Sequence, residues 1–178
     1  MCNVEWLAPM AEVSPWINSG QNDTYEMLYQ IFCQDVKNHD LKYNNFNVWF
    51  FGDLEDGKEK IFWHLTSRVE KTKKVPRRKR KFYDSDTIPA QRYPDLRRSE
   101  RLPWVKPLIE NPGKSEVLAW DYKEGDGSIK TYVWLKDYDF VVIMKKYQDN
   151  GRRLVTSFYV DSDYKRMDFE RKYGDRLC

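Results

Sequence analysis

Chemically versatile side chains concentrate in residues 61–68 (IFWHLTSR), where an apolar run is followed by a histidine, two hydroxyls and an arginine. The apolar residues predict a strand that returns as the second arm of a hairpin. On a strand, alternate side chains share a face, so His64, Thr66 and Arg68 would lie together. A histidine titrates near neutral pH and can act as general base or acid beside a phosphate. The alternative is a partly buried histidine that hydrogen-bonds its neighbours.

The most basic stretch of the chain follows directly. From Arg68 to Arg101 there are thirteen Lys and Arg against five Asp and Glu, a local net charge of +8, whereas the rest of the chain carries −5. Cations at this density gain binding free energy from a polyanion through counterion release. The alternative is a solvated loop or a localisation signal. The candidate nucleic-acid-binding residues of this tract are Lys73, Lys74, Arg77, Arg78, Lys79 and Arg80.

A second group of arginines lies in residues 92–104 (RYPDLRRSERLPW). Arg97, Arg101 and Trp104 recur at i, i+4 and i+7, so on a helix they would share one face. Guanidinium groups bind phosphate through paired hydrogen bonds, and an indole can stack on a base. The alternative is a set of surface ion pairs with nearby carboxylates. The candidates for phosphate and base contacts in this segment are Arg92, Arg97, Arg98 and Trp104.

Hydroxyl groups also interrupt an apolar strand near the carboxyl terminus, residues 153–160 (RLVTSFYV). A Thr-Ser pair in the middle of such a strand is unusual for a core but suits a sheet that forms the floor of an active site. We therefore expect Thr156 and Tyr159 to position a scissile group. The predicted catalytic set is His64, Arg68, Arg101, Thr156 and Tyr159.

The motifs of several enzyme classes are absent from the sequence. There is no Walker A loop, GxGxxG turn, HExxH helix or GxSxG elbow, and no pair of carboxylates with metal-ligand spacing. We expect neither a metal nor a cofactor. Cleavage of RNA without a metal stays open, because the ribose 2′-hydroxyl is the nucleophile. Such an enzyme needs only a base, an acid and cations that stabilise the phosphorane.

The helices and strands that the sequence predicts make up an α+β fold in a single domain, 1–178. It has an N-terminal helix, a curved antiparallel β-sheet of five to six strands and a C-terminal helix. Residues 1–20 read as an irregular arm and 68–94 as a long basic loop. The predicted helices cover about 22–38, part of 95–109 and 163–173; the predicted strands cover 47–52, 60–65, 117–122, 130–135, 140–145 and 154–160.

The cellular setting follows from what the sequence lacks. No apolar run approaches the roughly 20 residues of a membrane span, and the amino terminus shows no secretory signal. Cys2, Cys33 and Cys178 are scattered, with no CxxC pair, which favours reduced cysteines. We expect a soluble cytoplasmic protein without a membrane partner.

Three segments in this order carry a resemblance: residues 64–68 (HLTSR), 92–104, and 156–161 (TSFYVD). The layout over about 58–170 is similar to small proteins of phages and mobile elements, which resemble the barnase–EndoU–colicin–RelE superfamily of metal-independent ribonuclease toxins. The resemblance implies a helix packed on a curved sheet whose face cuts RNA, such as tRNA or mRNA, to a 2′,3′-cyclic phosphate. It also implies an antitoxin or immunity protein as partner, or a role in phage defence.

Three functions are compatible with these sequence features. The sequence favours a metal-independent endoribonuclease in which His64 transfers the proton. The second function is a nucleic-acid-binding module without chemistry, in which the same arginines only hold phosphates. The third is a protein-interaction factor, such as a phage inhibitor of a host enzyme, whose basic loop binds an acidic partner.

Overall fold

A computed structural model describes residues 4–13, 21–70, 73–74, 87–88 and 91–177. The helices in these ranges are α1 (Gln21–Phe32), α2 (Lys60–Thr66), α3 (Leu96–Ser99), α4 (Val105–Glu110) and α5 (Asp163–Gly174). The strands are β1 (Lys42–Tyr43), β2 (Phe46–Trp49), β3 (Leu54–Glu55), β4 (Lys58–Glu59), β5 (Ser67–Glu70), β6 (Lys73–Lys74), β7 (Thr87–Ile88), β8 (Gln91–Pro94), β9 (Val117–Lys123), β10 (Ile129–Leu135), β11 (Phe140–Lys146) and β12 (Arg152–Tyr159).

The main sheet has six strands in the order β1-β2-β12-β11-β10-β9 and curls into a half-barrel. Strands β9 to β12 form an antiparallel meander, as the β-branched and aromatic residues of these segments and the turn residues between them predict. β2 joins β12 in parallel, through Val48 and Trp49 alone. The α+β fold with its N-terminal helix, curved sheet and C-terminal helix is confirmed. The parallel pairing of β2 with β12 was not predicted.

Two hydrophobic clusters cover the two faces of the meander. On one face Val133, Phe140 and Val142 pack with residues of α1, α2 and α4. On the other face Trp134 and Val141 pack with Phe169 of α5. Because directly opposed residues on paired strands share a face, the alternation along each strand divides the side chains between these two clusters.

The N-terminal helix is confirmed. α1 continues into a π-helical turn, Cys33–Lys37, and buries Leu28, Phe32 and Val36, which recur at helical spacing. The helix begins at Gln21, and Asp23 lies in its first turn. The predicted C-terminal helix is confirmed as α5, with Ser162 as its N-cap.

The prediction of a strand over 60–65 is wrong, because these residues form helix α2. A tight turn at Asp56 and Gly57, both with positive φ, connects β3 to β4. Helix α2 begins directly after β4. A short apolar run is compatible with a strand or a buried helix, and periodicity alone does not separate them. The expected shared face of His64, Thr66 and Arg68 is lost with the strand.

The segment 68–94 is not an open loop at its ends. β5 pairs with β8, and β6 with β7, as two antiparallel ladders. Lys73 and Lys74 therefore belong to β6, whereas the predicted Arg77, Arg78, Lys79 and Arg80 lie outside the described residues. Within the described ranges, no helix is both long and apolar enough to cross a membrane.

Candidate active site

Helix α2 lies beside the edge of β12 that β2 leaves uncovered. The Thr156 hydroxyl donates to the His64 carbonyl at 3.2 Å, and Arg98 Nη1 donates to the same oxygen at 3.0 Å. Within α2 itself, the Thr66 hydroxyl donates to the Phe62 carbonyl at 2.9 Å. These bonds fix the end of the helix, where the His64 side chain is exposed while its neighbours Trp63 and Leu65 are buried.

A cavity of about 410 Å³ opens between α2 and β12. Lys60 and His64 are four residues apart on the helix and both line it. A β-bulge separates the Met144–Leu154 and Ile143–Thr156 pairs, and bulges of this kind redirect side chains. The residues around the cavity are Phe51, Asp53, Lys60, Ile61, His64, Arg153, Leu154, Val155 and Thr156.

Two cations face this cavity under different constraints. Lys60 Nζ lies 3.4 Å from Asp53 Oδ2, and both side chains are about half exposed, so the pair is weak. Arg153 stacks on the Phe51 ring with 4.5 Å between the guanidinium carbon and the ring centroid. Its buried Nε has no hydrogen-bond partner among the described residues. Arg153 is therefore a cation with unused donors.

The surroundings of His64 favour its neutral form. Removal of water by the surrounding protein lowers the pKa of His64, and the positive charges of Arg92 and Arg98 lower it further. Glu55 acts in the opposite direction on the same pKa. Because an ordinary histidine titrates at about 6.5, His64 is mainly unprotonated at neutral pH. That is the form that can accept a proton.

The other predicted catalytic residues form a second cluster. Tyr159 carries the guanidinium groups of Arg97 and Arg101 over its ring, at 4.6 and 4.9 Å from the centroid. Tyr159 is opposite Phe140 and Thr156 is opposite Ile143, which places the two side chains on different faces of the sheet. The structure thus brings His64 and Thr156 together, and Arg101 and Tyr159 together, but not all four.

Asp95 organises the arginines near this second cluster. Its buried carboxylate caps α3, accepts a hydrogen bond from Arg68 Nη2 at 3.1 Å and forms an ion pair with Arg98 Nε at 3.2 Å. Arg68 also lies 3.6 Å from Asp161. These arginines are mostly neutralised by carboxylates. Arg97 is exposed and makes no ion pair with any described residue.

Two predicted nucleic-acid contacts need correction. Trp104 is only 5% exposed and its Nε1 donates to the Ala8 carbonyl at 2.8 Å, so its ring is not available to a base. The prolines at 103 and 107 break the segment into short pieces. The Trp104 ring lies in the core beneath Arg101, whose guanidinium carbon is 5.3 Å from the ring centroid. Arg92 is held by Glu55 at 2.9 Å and by the Ser67 hydroxyl at 2.9 Å, which is a structural role.

Sequence reasoning missed three residues of the cavity: Phe51, Lys60 and Arg153. The i, i+4 spacing of Lys60 and His64 is a signal only once residues 60–66 are recognised as a helix. Arg153 meets Phe51 through the parallel pairing of β2 with β12, which no local pattern in the sequence reveals.

Comparison of the chain with protein-family models, with curated proteins and with solved structures finds no match. Among the described residues, no group of three His, Cys, Asp or Glu side chains is placed to hold a metal ion. The side chains in the cavity that could take part in chemistry are His64, Lys60, Arg153 and Thr156.

Proposed function

We propose that the protein is a metal-independent endoribonuclease with His64 as general base. The observation that carries the proposal is a cavity that holds a histidine, His64, two cations, Lys60 and Arg153, and a hydroxyl, Thr156. RNA cleavage by its own 2′-hydroxyl needs a base, an acid and positive charge beside the phosphorane. In this proposal His64 is the base, Lys60 and Arg153 supply the charge, and water acts as the acid.

In the proposed reaction, His64 accepts the proton of the ribose 2′-hydroxyl, and the 2′-oxygen attacks the adjacent phosphorus. Negative charge grows on the non-bridging oxygens of the phosphorane, where Lys60 and Arg153 stabilise it. The bond to the 5′-oxygen breaks, and this oxygen takes a proton from water. The products are a 2′,3′-cyclic phosphate and a 5′-hydroxyl, and His64 returns its proton to solvent.

Thr156 acts in this proposal as a positioning residue. Its hydroxyl hydrogen-bonds the His64 backbone rather than the imidazole, so it orients the base without taking part in proton transfer. The exposed Arg97 of α3 offers phosphate contacts further along the substrate.

The test is incubation of the purified protein with total cellular RNA in EDTA, beside His64→Ala and His39→Gln. His39 is the matched control because it is the other histidine of the chain and pairs with Glu110 at 2.7 Å, away from the cavity. We expect fragments ending in cyclic phosphate from the wild type and His39→Gln. Cleavage by His64→Ala should fall about 10²- to 10⁴-fold. Undiminished cleavage by folded His64→Ala, or intact RNA with the wild type, would refute the proposal.

A further inference from the structure

One row of side chains crosses five strands of the sheet next to the cavity. The register places Trp49 of β2 opposite Arg153 of β12, which is opposite Lys145 of β11. The row continues through Lys130 of β10 to Tyr122 of β9. Since opposed residues share a face, three cations lie side by side between two aromatic rings.

Further rings extend this row along the strand direction. Phe51 packs edge-on against Trp49 with 5.4 Å between centroids, and Tyr147 lies 5.3 Å from Trp49. Arg153 lies over Phe51, and Lys145 lies 5.8 Å from the centroid of Tyr147. Phe51 is 52% exposed, which is unusual for a phenylalanine that only serves a core. Aromatic rings and cations therefore alternate on this surface.

Two of the three cations in the row, Arg153 and Lys145, have no carboxylate partner among the described residues. Neither Lys145 nor Arg153 forms an ion pair with a described residue, whereas Lys130 lies 3.7 Å from Glu124. The nearby turn carboxylates are engaged in their own turns: Asp126 accepts from the Ser128 hydroxyl at 2.6 Å, and Asp149 accepts from the Gly151 amide at 2.9 Å. Asp126 interacts with Lys145 through its charge alone, so among the described residues the positive charge at the centre of the surface is only partly offset.

This surface is continuous with the His64 cavity. Phe51 and Arg153 line that cavity, while Trp49, Lys145 and Tyr147 line a neighbouring cavity of about 940 Å³. Trp49 contacts Phe51 of the first cavity and Tyr147 of the second, so these three rings join the two cavities along one surface.

We infer that this aromatic and cationic surface, the stacking platform, binds the single-stranded RNA that flanks the scissile phosphate. Bases stack on Trp49, Phe51 and Tyr147, and phosphates contact Lys145 and Arg153. Only unpaired bases expose the faces that such rings need, so the platform selects single strands over duplex. The inference deepens the proposed function and rests on it for the choice of RNA as the polymer.

The test uses a single-stranded RNA with every 2′-hydroxyl methylated, which binds but offers no nucleophile, and the same sequence as a duplex. Fluorescence anisotropy measures affinity for the wild type, Trp49→Ala, Lys145→Ala and Lys114→Ala. Lys114 is the matched control because it is an exposed lysine just before β9, at the opposite end of that strand from Tyr122. Thermal unfolding verifies that each variant is folded.

We expect the wild type to prefer the single strand. Loss of the Trp49 ring should weaken single-strand binding roughly 5- to 100-fold and leave duplex binding unchanged, because one stacked base is lost. Lys145→Ala should lower the slope of log affinity against log salt by about 0.7, the value for one phosphate contact on a single strand. Lys114→Ala should match the wild type.

The outcomes separate the inference from the proposed function. If Lys145→Ala and folded Trp49→Ala bind the single strand as the wild type does, the platform is refuted, even where His64-dependent cleavage is intact. Equal affinity of the wild type for single strand and duplex refutes it as well. If binding depends on Trp49 and Lys145 but no RNA is cleaved, the platform holds and the nuclease proposal fails.

Discussion

The Thr156 hydroxyl donates to the His64 carbonyl at 3.2 Å and so connects the last strand of the sheet to the helix that carries the candidate base. Arg98 bonds the same carbonyl, which keeps the helix in place if one of the two donors is lost. Loss of the Thr156 hydrogen bond should therefore change the orientation of α2 without unfolding it.

We expect Thr156→Val to lower the free energy of unfolding by about 1 kcal/mol, the usual net value of one hydrogen bond. The turnover number should fall roughly tenfold or more, because small displacements of a catalytic group are costly. Thr156→Ser keeps the hydroxyl and should restore both quantities. Calorimetry and single-turnover cleavage are the measurements; wild-type turnover by Thr156→Val would rule out a positioning role.

The pH dependence of cleavage should follow the protonation of His64. Its neutral form is the active one, so kcat/KM rises as pH increases through the pKa of His64. Because partial removal of water by the surrounding protein and the Arg92 charge lower that pKa, the midpoint should lie below the ordinary histidine value of about 6.5. Arg92→Gln removes one positive charge and should move the midpoint upward. A midpoint above 6.5 in the wild type would contradict this electrostatic account.

Lys60→Ala should reduce kcat about 10²- to 10³-fold, as expected for the loss of one group that stabilises developing charge. Its stability should change little, because the half-exposed Lys60–Asp53 pair is worth at most about 1 kcal/mol. Lys60→Arg should recover part of the rate. Lys114→Ala serves as the charge-matched control in the same cleavage assay, and an equal loss in that variant would point to general electrostatic attraction instead.

Trp104→Ala tests the corrected role of this residue. Removal of a buried indole should lower the free energy of unfolding by about 3–5 kcal/mol, and chemical denaturation gives the value. RNA affinity per folded molecule should stay at the wild-type level, because the ring faces the core. Weaker RNA binding at unchanged stability would restore the original prediction that Trp104 stacks on a base.

The parts of the fold that sequence predicts well have local causes. The meander strands are rich in β-branched and aromatic residues and are separated by turn residues with positive φ, such as Asp139 and Asn150. α1 carries a regular apolar stripe, and α5 has a serine cap. Each of these signals lies within about a dozen residues, so the sequence contains it directly.

The candidate site was predicted less completely because its geometry is not local. α2 is buried on so many sides that its pattern resembles a strand. Arg153 and Phe51 meet only because β2 pairs in parallel with β12, and Trp104 turns inward at a proline-broken segment. The histidine and the threonine could be identified by residue type, whereas their cationic partners required the tertiary arrangement.

The distance along the chain between the two halves of the cavity affects when the protein can become active. Ninety-two residues separate His64 from Thr156, and contacts of such long range form after local ones because chain closure costs entropy. At a synthesis rate of about 5–20 residues per second, the ribosome makes the helix roughly 5–18 seconds before the strand. During that interval the nascent chain carries its histidine without the cavity, so the proposed activity would begin only after the sheet has been completed.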